Sequence, residues 1–174
     1  VQDVAALNSP VTDSASSSSA WGSGSRIFNG AVNVLPDGTK LSPIMALAKG
    51  ASRKTALVTT ATVTHATPAG FAAVSTSRDD EAGIALQYKG LVDLVLGGGQ
   101  RFFLAERRKD KRDAAGEFRV AGYNVVQTKA DMLRCTKGGK VLGLFSDGHL
   151  PYTLDHSADE KLKAGVPTLK EMTD

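Results

Sequence analysis

The sequence predicts an α/β fold with a largely parallel sheet, and two observations carry this expectation. Short β-branched and aliphatic runs alternate along the chain with helical segments, an order that is typical of βαβ units. The 18 glycines and the 6% aromatic content favour short loops and close backbone approaches over a β-sandwich. With 174 residues, the chain is long enough for one domain with a substantial core and too short for two.

Four segments are predicted to be strands because β-branched and aliphatic residues dominate them. They are residues 55–60, 91–96, 123–126 and 141–145. The second segment is predicted to stop at the three consecutive glycines of residues 97–99. These glycines form either a tight strand exit or a phosphate cradle. Because no complete dinucleotide-binding motif surrounds them, the sequence favours the strand exit.

Helix-start signals place helical segments before, between and after these strands. Thr12, Asp13 and Ser14 predict a turn that enters a helix, because their oxygens can accept the unpaired amide hydrogens of a first turn. The serines of residues 16–19 either continue this helix or form a flexible linker. Four further helices are predicted. One opens at Pro43, a second covers residues 66–75 around Pro68, a third ends near residues 84–88, and a fourth opens at Pro167.

The charged residues give little reason to expect a polyanionic partner. The net charge is +3, and much of the excess lies in residues 101–112, where Glu106 and Asp110 interrupt the basic run. A solvated helix or loop explains this run better than a nucleic-acid face, so we expect no nucleic acid as a partner. No run approaches the ~20 apolar residues that span a bilayer, and residues 1–10 show no signal peptide. Cys135 is the only cysteine, which excludes an internal disulfide.

Three stretches together resemble the alkaline phosphatase family. VTDSASSSSAW at residues 11–21 is similar to the family's nucleophile segment. THATPAGF at residues 64–71 is similar to the segment that supplies a threonine ligand to a magnesium site, and STSR at residues 75–78 has the spacing of the phosphate-binding arginine. DLVLGGGQRFF, LGLFSDGHLPY and VPTLKEMTD follow in the family's order, so the resemblance covers nearly the whole chain.

The resemblance implies a phosphomonoester hydrolase that works through a phosphoserine intermediate on Ser14. Serine is a poor nucleophile on its own, and in the family a zinc ion activates it. Arg78 is expected to hold two non-bridging phosphate oxygens with its planar fork, which lysine cannot reproduce. Asp13 is expected to accept a hydrogen bond from Arg78 and keep that fork in place.

The same resemblance implies two Zn²⁺ ions and one Mg²⁺ ion in the complete enzyme. Ser14 would contact zinc, and Thr67 would offer its hydroxyl oxygen to magnesium, a cation that prefers oxygen ligands. His65 would lie beside the magnesium site and act through water. An imidazole at that position leaves the identity of the third metal open. His149 and His156 match no ligand position and are interpreted as loop residues.

Other segments that supply metal ligands in the family have no counterpart in this sequence. Residues 1–174 are therefore expected to form a single partial domain that lacks the N-terminal strand and the C-terminal half. In the family, helices cover both faces of the complete sheet. Because catalytic zinc normally keeps three protein ligands, we expect the isolated chain to bind zinc weakly and to show little turnover. The complete parent protein is expected to be active.

Several alternatives stay open at the level of sequence. Taken alone, Ser14 is more often a helix cap, Arg78 a surface charge and His65 a satisfied polar residue. The chain could belong to a related phosphodiesterase or sulfatase, or act as a non-catalytic phosphate-binding or interaction module. The leading hypothesis takes phosphomonoesters as substrates and inorganic phosphate as product. The resemblance also implies an exported protein, periplasmic or secreted, and allows a homodimer.

Overall fold

The computed structural model describes residues 3–174, and their backbone contacts divide into two compact units. Unit 1 comprises the residues up to 55 together with residues 64–92. Unit 2 comprises residues 56–63 and 93–174. The expected single partial domain over residues 1–174 stays a prediction. Residues 1–2, which begin the stretch inspected for a signal peptide, lie outside the described residues.

Unit 1 is helical in the part of the chain that the structure describes. Its helices are α1 (Ser14–Ser23), α2 (Ile44–Gly50), α3 (Ala66–Ala72) and α4 (Glu81–Gln87). The predicted entry into α1 is confirmed, and the serine run continues the helix instead of forming a linker. Helix α3 begins two residues before Pro68, whose fixed φ suits the first turn, and it ends at Ala72, earlier than predicted.

Small residues allow α1 and α3 to pack closely. A Cβ atom built on Gly22 would lie 1.9 Å from the Gly70 carbonyl oxygen, and one built on Gly70 would lie 2.2 Å from the Ser18 hydroxyl. The Ser18 hydroxyl donates to the Ala66 carbonyl at 2.8 Å. The serine run therefore forms a helix–helix contact that fixes the start of α1 relative to the start of α3.

Unit 2 contains a four-stranded sheet whose strands all run parallel. The strands are β1 (Ala56–Thr62), β2 (Leu94–Gly98), β3 (Tyr123–Val126) and β4 (Lys140–Leu144), in the order β1-β2-β4-β3. All four predicted strands and the α/β class with a parallel sheet are confirmed. The sheet core contains the buried residues Leu96, Val126, Val141, Phe145, Leu150 and Met172. Such continuous apolar strands are typical of parallel sheets.

The glycines after residue 96 continue β2 and do not end it. Gly97 and Gly98 belong to the strand, so the prediction that the strand stops before them is wrong. A Cβ atom on Gly98 would lie 1.9 Å from the Gly148 carbonyl oxygen, and one on Gly97 would lie 2.8 Å from the Thr59 carbonyl oxygen. Close backbone approach, which only glycine permits, explains these two positions.

Five short helices complete unit 2. They are α5 (Ala114–Val120), α6 (Lys129–Leu133), α7 (Thr153–Ala158), α8 (Glu160–Gly165) and α9 (Leu169–Thr173). Only α9 was predicted, and it begins after Thr168 with a capping box that involves Glu171. The interpretation of His156 as a loop residue is wrong: it lies in α7, is buried, and its Nε2 atom is 2.9 Å from the Val166 carbonyl oxygen.

The basic run of residues 101–112 begins within a short 3₁₀ turn (Gln100–Phe102) and continues as a loop. Most of its charges are exposed as expected, but Arg108 is not. The Arg108 side chain is buried, donates to both carboxylate oxygens of Asp110 and donates to the Phe102 carbonyl oxygen at 2.6 Å. One cation of this run is therefore an internal anchor of the loop. No helix among residues 3–174 is long and apolar enough to cross a membrane.

Candidate active site

The N-terminus of α1 is capped by Asp13, the residue directly before Ser14. The Asp13 carboxylate accepts from the Ser16 amide at 2.8 Å, which satisfies one of the unpaired amides of the first turn. Its other oxygen accepts from the Gly30 amide at 2.9 Å. Because Asp13 is the cap, Ser14 occupies the first helical position, and the interpretation of Ser14 as a helix cap does not hold.

Ser14 differs from the serines that follow it. The hydroxyls of Ser16, Ser18 and Ser19 are buried and hydrogen-bonded, and that of Ser17 lies 3.0 Å from the Thr12 hydroxyl. Ser14 is half-buried, and within residues 3–174 its hydroxyl makes no hydrogen bond. By helix geometry, the amides of the first two helical positions also lack acceptors within α1. Ser14 thus combines an unengaged hydroxyl with the positive end of the helix dipole.

Arg78 reaches the same helix terminus from a distant part of the sequence. Its Nη1 atom donates to the second Asp13 oxygen at 3.1 Å, and the two side chains are 25% and 24% exposed. Its backbone amide donates to the Gly30 carbonyl at 2.7 Å. A guanidinium has five N–H donors in one plane, so these contacts leave further donors for an anion.

The start of α3 contributes His65, the residue that precedes the helix. Its Nε2 atom lies 3.3 Å from Arg78 Nη2. Because a guanidinium can only donate, Nε2 accepts, which places the imidazole proton on Nδ1. Arg78 is therefore held between Asp13 and His65. Thr67 lies on the first turn of α3 and is exposed.

A buried hydroxyl connects the start of α3 to the start of α4. Thr64 is fully buried and donates from its hydroxyl to the Glu81 carboxylate at 2.7 Å. Glu81 is the first residue of α4 and follows Arg78 by three positions. The bond therefore ties together the two segments that carry His65 and Arg78.

The surroundings of Asp13 favour its ionised form. Partial burial alone would raise the pKa of this carboxyl. Hydrogen bonds from the amides of Ser16 and Gly30, from Arg78 and from the Ser16 hydroxyl outweigh burial and hold the pKa below its ordinary value. Asp13 is therefore a carboxylate at neutral pH and gives Arg78 a fixed counter-charge.

Sequence inspection missed the Asn29–Gly30 pair. The Asn29 side-chain oxygen accepts from the Asp13 amide at 2.9 Å and from the Ser16 hydroxyl at 2.8 Å. Gly30 has a φ of 85°, a value that glycine adopts without strain. An Asn-Gly pair indicates a turn, and this signal in the sequence could have drawn attention to the position.

The described residues do not fit a metal site by themselves. Among residues 3–174, no group of three or more His, Cys, Asp or Glu side chains could hold a metal ion. Ser14, Thr67 and His65 offer two hydroxyls and one imidazole, and the imidazole Nε2 already faces Arg78. Zinc normally needs three or four nitrogen, sulfur or carboxylate ligands. These three side chains therefore cannot hold a catalytic zinc ion without further ligands.

The structure thus brings together Asp13, Arg78 and His65, beside the hydroxyl-bearing Ser14. A cationic fork at a helix N-terminus next to an unengaged hydroxyl is suited to binding and transferring an oxyanion.

Comparison with known proteins gives the family. The family model for alkaline phosphatase matches residues 2–174, and the chain belongs to the alkaline phosphatase family. Alkaline phosphatase 3 of Bacillus subtilis is 39% identical over 170 residues, which cover 94% of this chain and 34% of that protein. The chain therefore spans about a third of the length of this relative.

Solved structures give the same result at the level of the fold. The alkaline phosphatase of Thermus thermophilus is 42% identical, with a TM-score of 0.90, and the match covers 98% of this chain and 36% of that one. A variant of the alkaline phosphatase from the Antarctic bacterium TAB5, with one histidine replaced by glutamate, is 30% identical with a TM-score of 0.78. That match covers 87% of this chain and 44% of the TAB5 chain, which holds Mg in a site called M3.

Proposed function

We propose that this chain carries the nucleophile and the phosphate-binding arginine of an alkaline phosphatase that hydrolyses phosphomonoesters. One observation carries the proposal: Arg78 is ion-paired at 3.1 Å with Asp13, the residue next to Ser14 at the N-terminus of α1. A phosphomonoester dianion repels nucleophiles, so its charge must be neutralised where the attacking oxygen is held. Arg78 and the first amides of α1 supply that charge and those donors.

In the proposed reaction, Ser14 Oγ attacks phosphorus in line with the leaving group. The bond from phosphorus to Ser14 Oγ forms, and the hydroxyl proton of Ser14 passes to solvent. The ester P–O bond breaks, and the leaving oxygen takes up a proton from water. Water then displaces the phosphoryl group from Ser14 and releases inorganic phosphate. Arg78 holds two non-bridging oxygens through both steps, and Asp13 keeps the guanidinium in position without contacting the substrate.

We further propose that the complete enzyme depends on metal ions. The complete enzyme would take two Zn²⁺ ions and one Mg²⁺ ion, and a bound metal ion would stabilise negative charge as a Lewis acid. Ser14, Thr67 and, through water, His65 would contribute to those sites. Further ligands would have to come from outside the described residues. The isolated chain is accordingly proposed to bind zinc weakly and to turn over little substrate.

A chimera tests the proposed reaction. This chain replaces the segment that it matches in the Thermus thermophilus enzyme, and hydrolysis of p-nitrophenyl phosphate is measured with zinc and magnesium present. We expect activity, a phosphoserine that maps to Ser14 after acid quenching, and a loss of kcat of at least about 10³-fold in Ser14→Ala. Ser42→Ala is the matched control, because Ser42 is exposed and outside the site.

The outcomes separate the alternatives. Full activity in Ser14→Ala, or a phosphoryl group on another residue, overturns the proposal. Preferential hydrolysis of phosphodiesters or sulfate esters would favour one of the related enzyme classes. Phosphate binding that depends on Arg78 but never gives phosphoserine would favour a non-catalytic binding module. Strong hydrolysis by the isolated chain that a chelator abolishes would overturn its proposed inactivity.

Export to the periplasm or the cell exterior and assembly into a homodimer are further parts of the proposal, supported by the family alone. Cell fractionation and sedimentation of the complete protein test them. A cytoplasmic monomer would contradict both.

A further inference from the structure

The Asn29 side chain bridges the two sides of Ser14. Its oxygen accepts from the Asp13 amide at 2.9 Å and from the Ser16 hydroxyl at 2.8 Å. Its nitrogen donates to the Val11 carbonyl at 2.9 Å. The orientation of the amide follows from its partners, because a backbone amide can only donate and a carbonyl can only accept.

The neighbouring residue extends this connection to the arginine. The Gly30 amide donates to the Asp13 carboxylate at 2.9 Å, and the Gly30 carbonyl accepts from the Arg78 amide at 2.7 Å. The backbone of Asn29 is held in turn by the Asn8 side chain at 2.9 Å. The Asn29–Gly30 pair thus contacts the segment that carries Ser14, the carboxylate that holds Arg78 and the backbone of Arg78.

We propose that Asn29 is a positioning residue that aligns the Ser14 hydroxyl for attack on a phosphoryl group. This inference rests on the proposed function, since it assumes that Ser14 is the nucleophile. Asn29 restrains the residue before Ser14 and the residue two positions after it, so it limits the rotation of the first turn of α1. A primary amide offers both the acceptor and the donor that this place needs. Alignment of reacting atoms is sensitive, because a displacement of 1 Å can cost a factor of about 10².

The proposal predicts that a substitution at Asn29 changes the affinities for two anions, phosphate and vanadate, by different amounts. Inorganic phosphate needs the guanidinium and the helix amides, whereas orthovanadate also takes Ser14 Oγ as a fifth ligand and resembles the transition state. In that addition the V–O bond forms, the serine proton passes to solvent, and no atom is oxidised or reduced. The ratio of vanadate affinity to phosphate affinity therefore reports the alignment of Ser14. A loss of general stability would not change this ratio.

The experiment titrates phosphate and vanadate separately into the 174-residue chain with zinc and magnesium present. In Asn29→Ala, we expect vanadate affinity to fall about 10²-fold while phosphate affinity is retained. Asn29→Asp keeps the acceptor oxygen and is expected to recover part of the ratio. Asn124→Ala is the matched control, because Asn124 is exposed on β3.

Each outcome decides something. If the unsubstituted chain binds neither anion, shows no preference for vanadate, or keeps that preference in Ser14→Ala, the proposed function fails and not the role of Asn29 alone. If the unsubstituted chain shows the preference and Asn29→Ala keeps the same ratio, the inference about Asn29 is overturned. If neither Asn29 variant folds by circular dichroism, Asn29 is a structural residue and the inference is also overturned.

Discussion

The two units of this chain differ in the contacts that join their central elements, which are strands in unit 2 and helices in unit 1. Unit 2 contains a parallel sheet whose central strands bury aliphatic side chains such as Val95, Leu142 and Leu144 completely. Unit 1 buries polar side chains as well, and Ser18 and Ser19 are at most 1% exposed there. Apolar burial is non-directional, whereas hydrogen bonds fix distances and angles. The candidate site thus lies in the unit whose helices are joined by buried serine hydroxyls.

Asn33 is an example of a buried polar residue whose hydrogen bonds join elements of unit 1. It is fully buried in unit 1 with a φ of 50°, and its side-chain nitrogen donates to the carbonyls of Gly70 and Ala73 at 2.8 Å each. Its amide donates to the Ser19 hydroxyl at 2.9 Å. One asparagine therefore links α1 with α3 through hydrogen bonds, whereas the strands of the unit 2 sheet bury aliphatic side chains.

The largest expected loss of stability comes from a substitution in the sheet of unit 2. Leu142→Ala removes a fully buried side chain from β4 and should lower the free energy of unfolding by about 2–5 kcal/mol. Urea unfolding followed by circular dichroism measures this loss. Leu133→Ala is the control, because Leu133 is 69% exposed. A loss no larger than that of the control would show that burial in unit 2 does not dominate its stability.

Close helix packing in unit 1 should give the next largest effect. Gly22→Ala places a methyl group 1.9 Å from the Gly70 carbonyl oxygen and should cost about 1–3 kcal/mol through displacement of α1 from α3. Gly50→Ala is the matched control, since a methyl group there meets no atom within 4 Å. Equal unfolding midpoints for the two variants would contradict the close packing of α1 on α3.

The loss of one buried hydrogen bond should lower the free energy of unfolding less than either of these two substitutions. Ser18→Ala leaves the Ala66 carbonyl without its buried donor and should cost about 1 kcal/mol. Because Ser18 links the helix that begins at Ser14 to the helix that follows His65, phosphate affinity should fall together with stability. Ser25→Ala serves as the control in the same unfolding and binding measurements. A change in stability with unaltered phosphate affinity would show that this helix contact does not position the candidate site.

The smallest expected effect concerns how the free energy of unfolding depends on pH. The folded-state pKa of Asp13 lies below its ordinary value of 3.8, so its contribution is complete above that pH and is lost as the pH falls through the folded value. Asp13→Asn should therefore flatten the decline of the unfolding free energy in acid. In unit 2, an ion pair with Lys129 and the Thr168 amide lower the pKa of Glu171 to about 2, and Glu171→Gln should act in the same direction. Steeper acid unfolding in either variant would contradict the assigned contacts.

Local patterns in the sequence were sufficient for the strands and for the entry into α1. β-branched and aliphatic runs predict β1 to β4 to within a few residues. The Thr-Asp-Ser sequence predicts the entry into α1, which begins at Ser14. The helices α5 to α8 were missed because each has only five to seven residues, too few for a clear hydrophobic period. The burial of His156 and Arg108 depends on partners that their local sequence does not reveal.

The candidate site was predicted through a resemblance and not through local patterns. The order of short motifs that match a family predicts five site residues, which are Asp13, Ser14, His65, Thr67 and Arg78. The contact between Arg78 and Asp13 lies where the resemblance implied it, whereas the contact between His65 and Arg78 was not foreseen. Asn29 and Glu81 were missed because their partners are 13 to 18 residues away in the chain. The roles of all these residues in a reaction stay predictions.

The central claim is that Ser14 and Arg78 converge on one phosphate ion, and a titration monitored by nuclear magnetic resonance tests it most directly. Inorganic phosphate is added to the ¹⁵N-labelled chain, and the amides of Ser14 and Ala15 are followed together with the Arg78 Nε–H group. We predict that all three signals shift with one common dissociation constant and that Arg78→Ala abolishes the shifts at α1. Arg78 shifting while the amides of Ser14 and Ala15 stay unchanged would contradict the account.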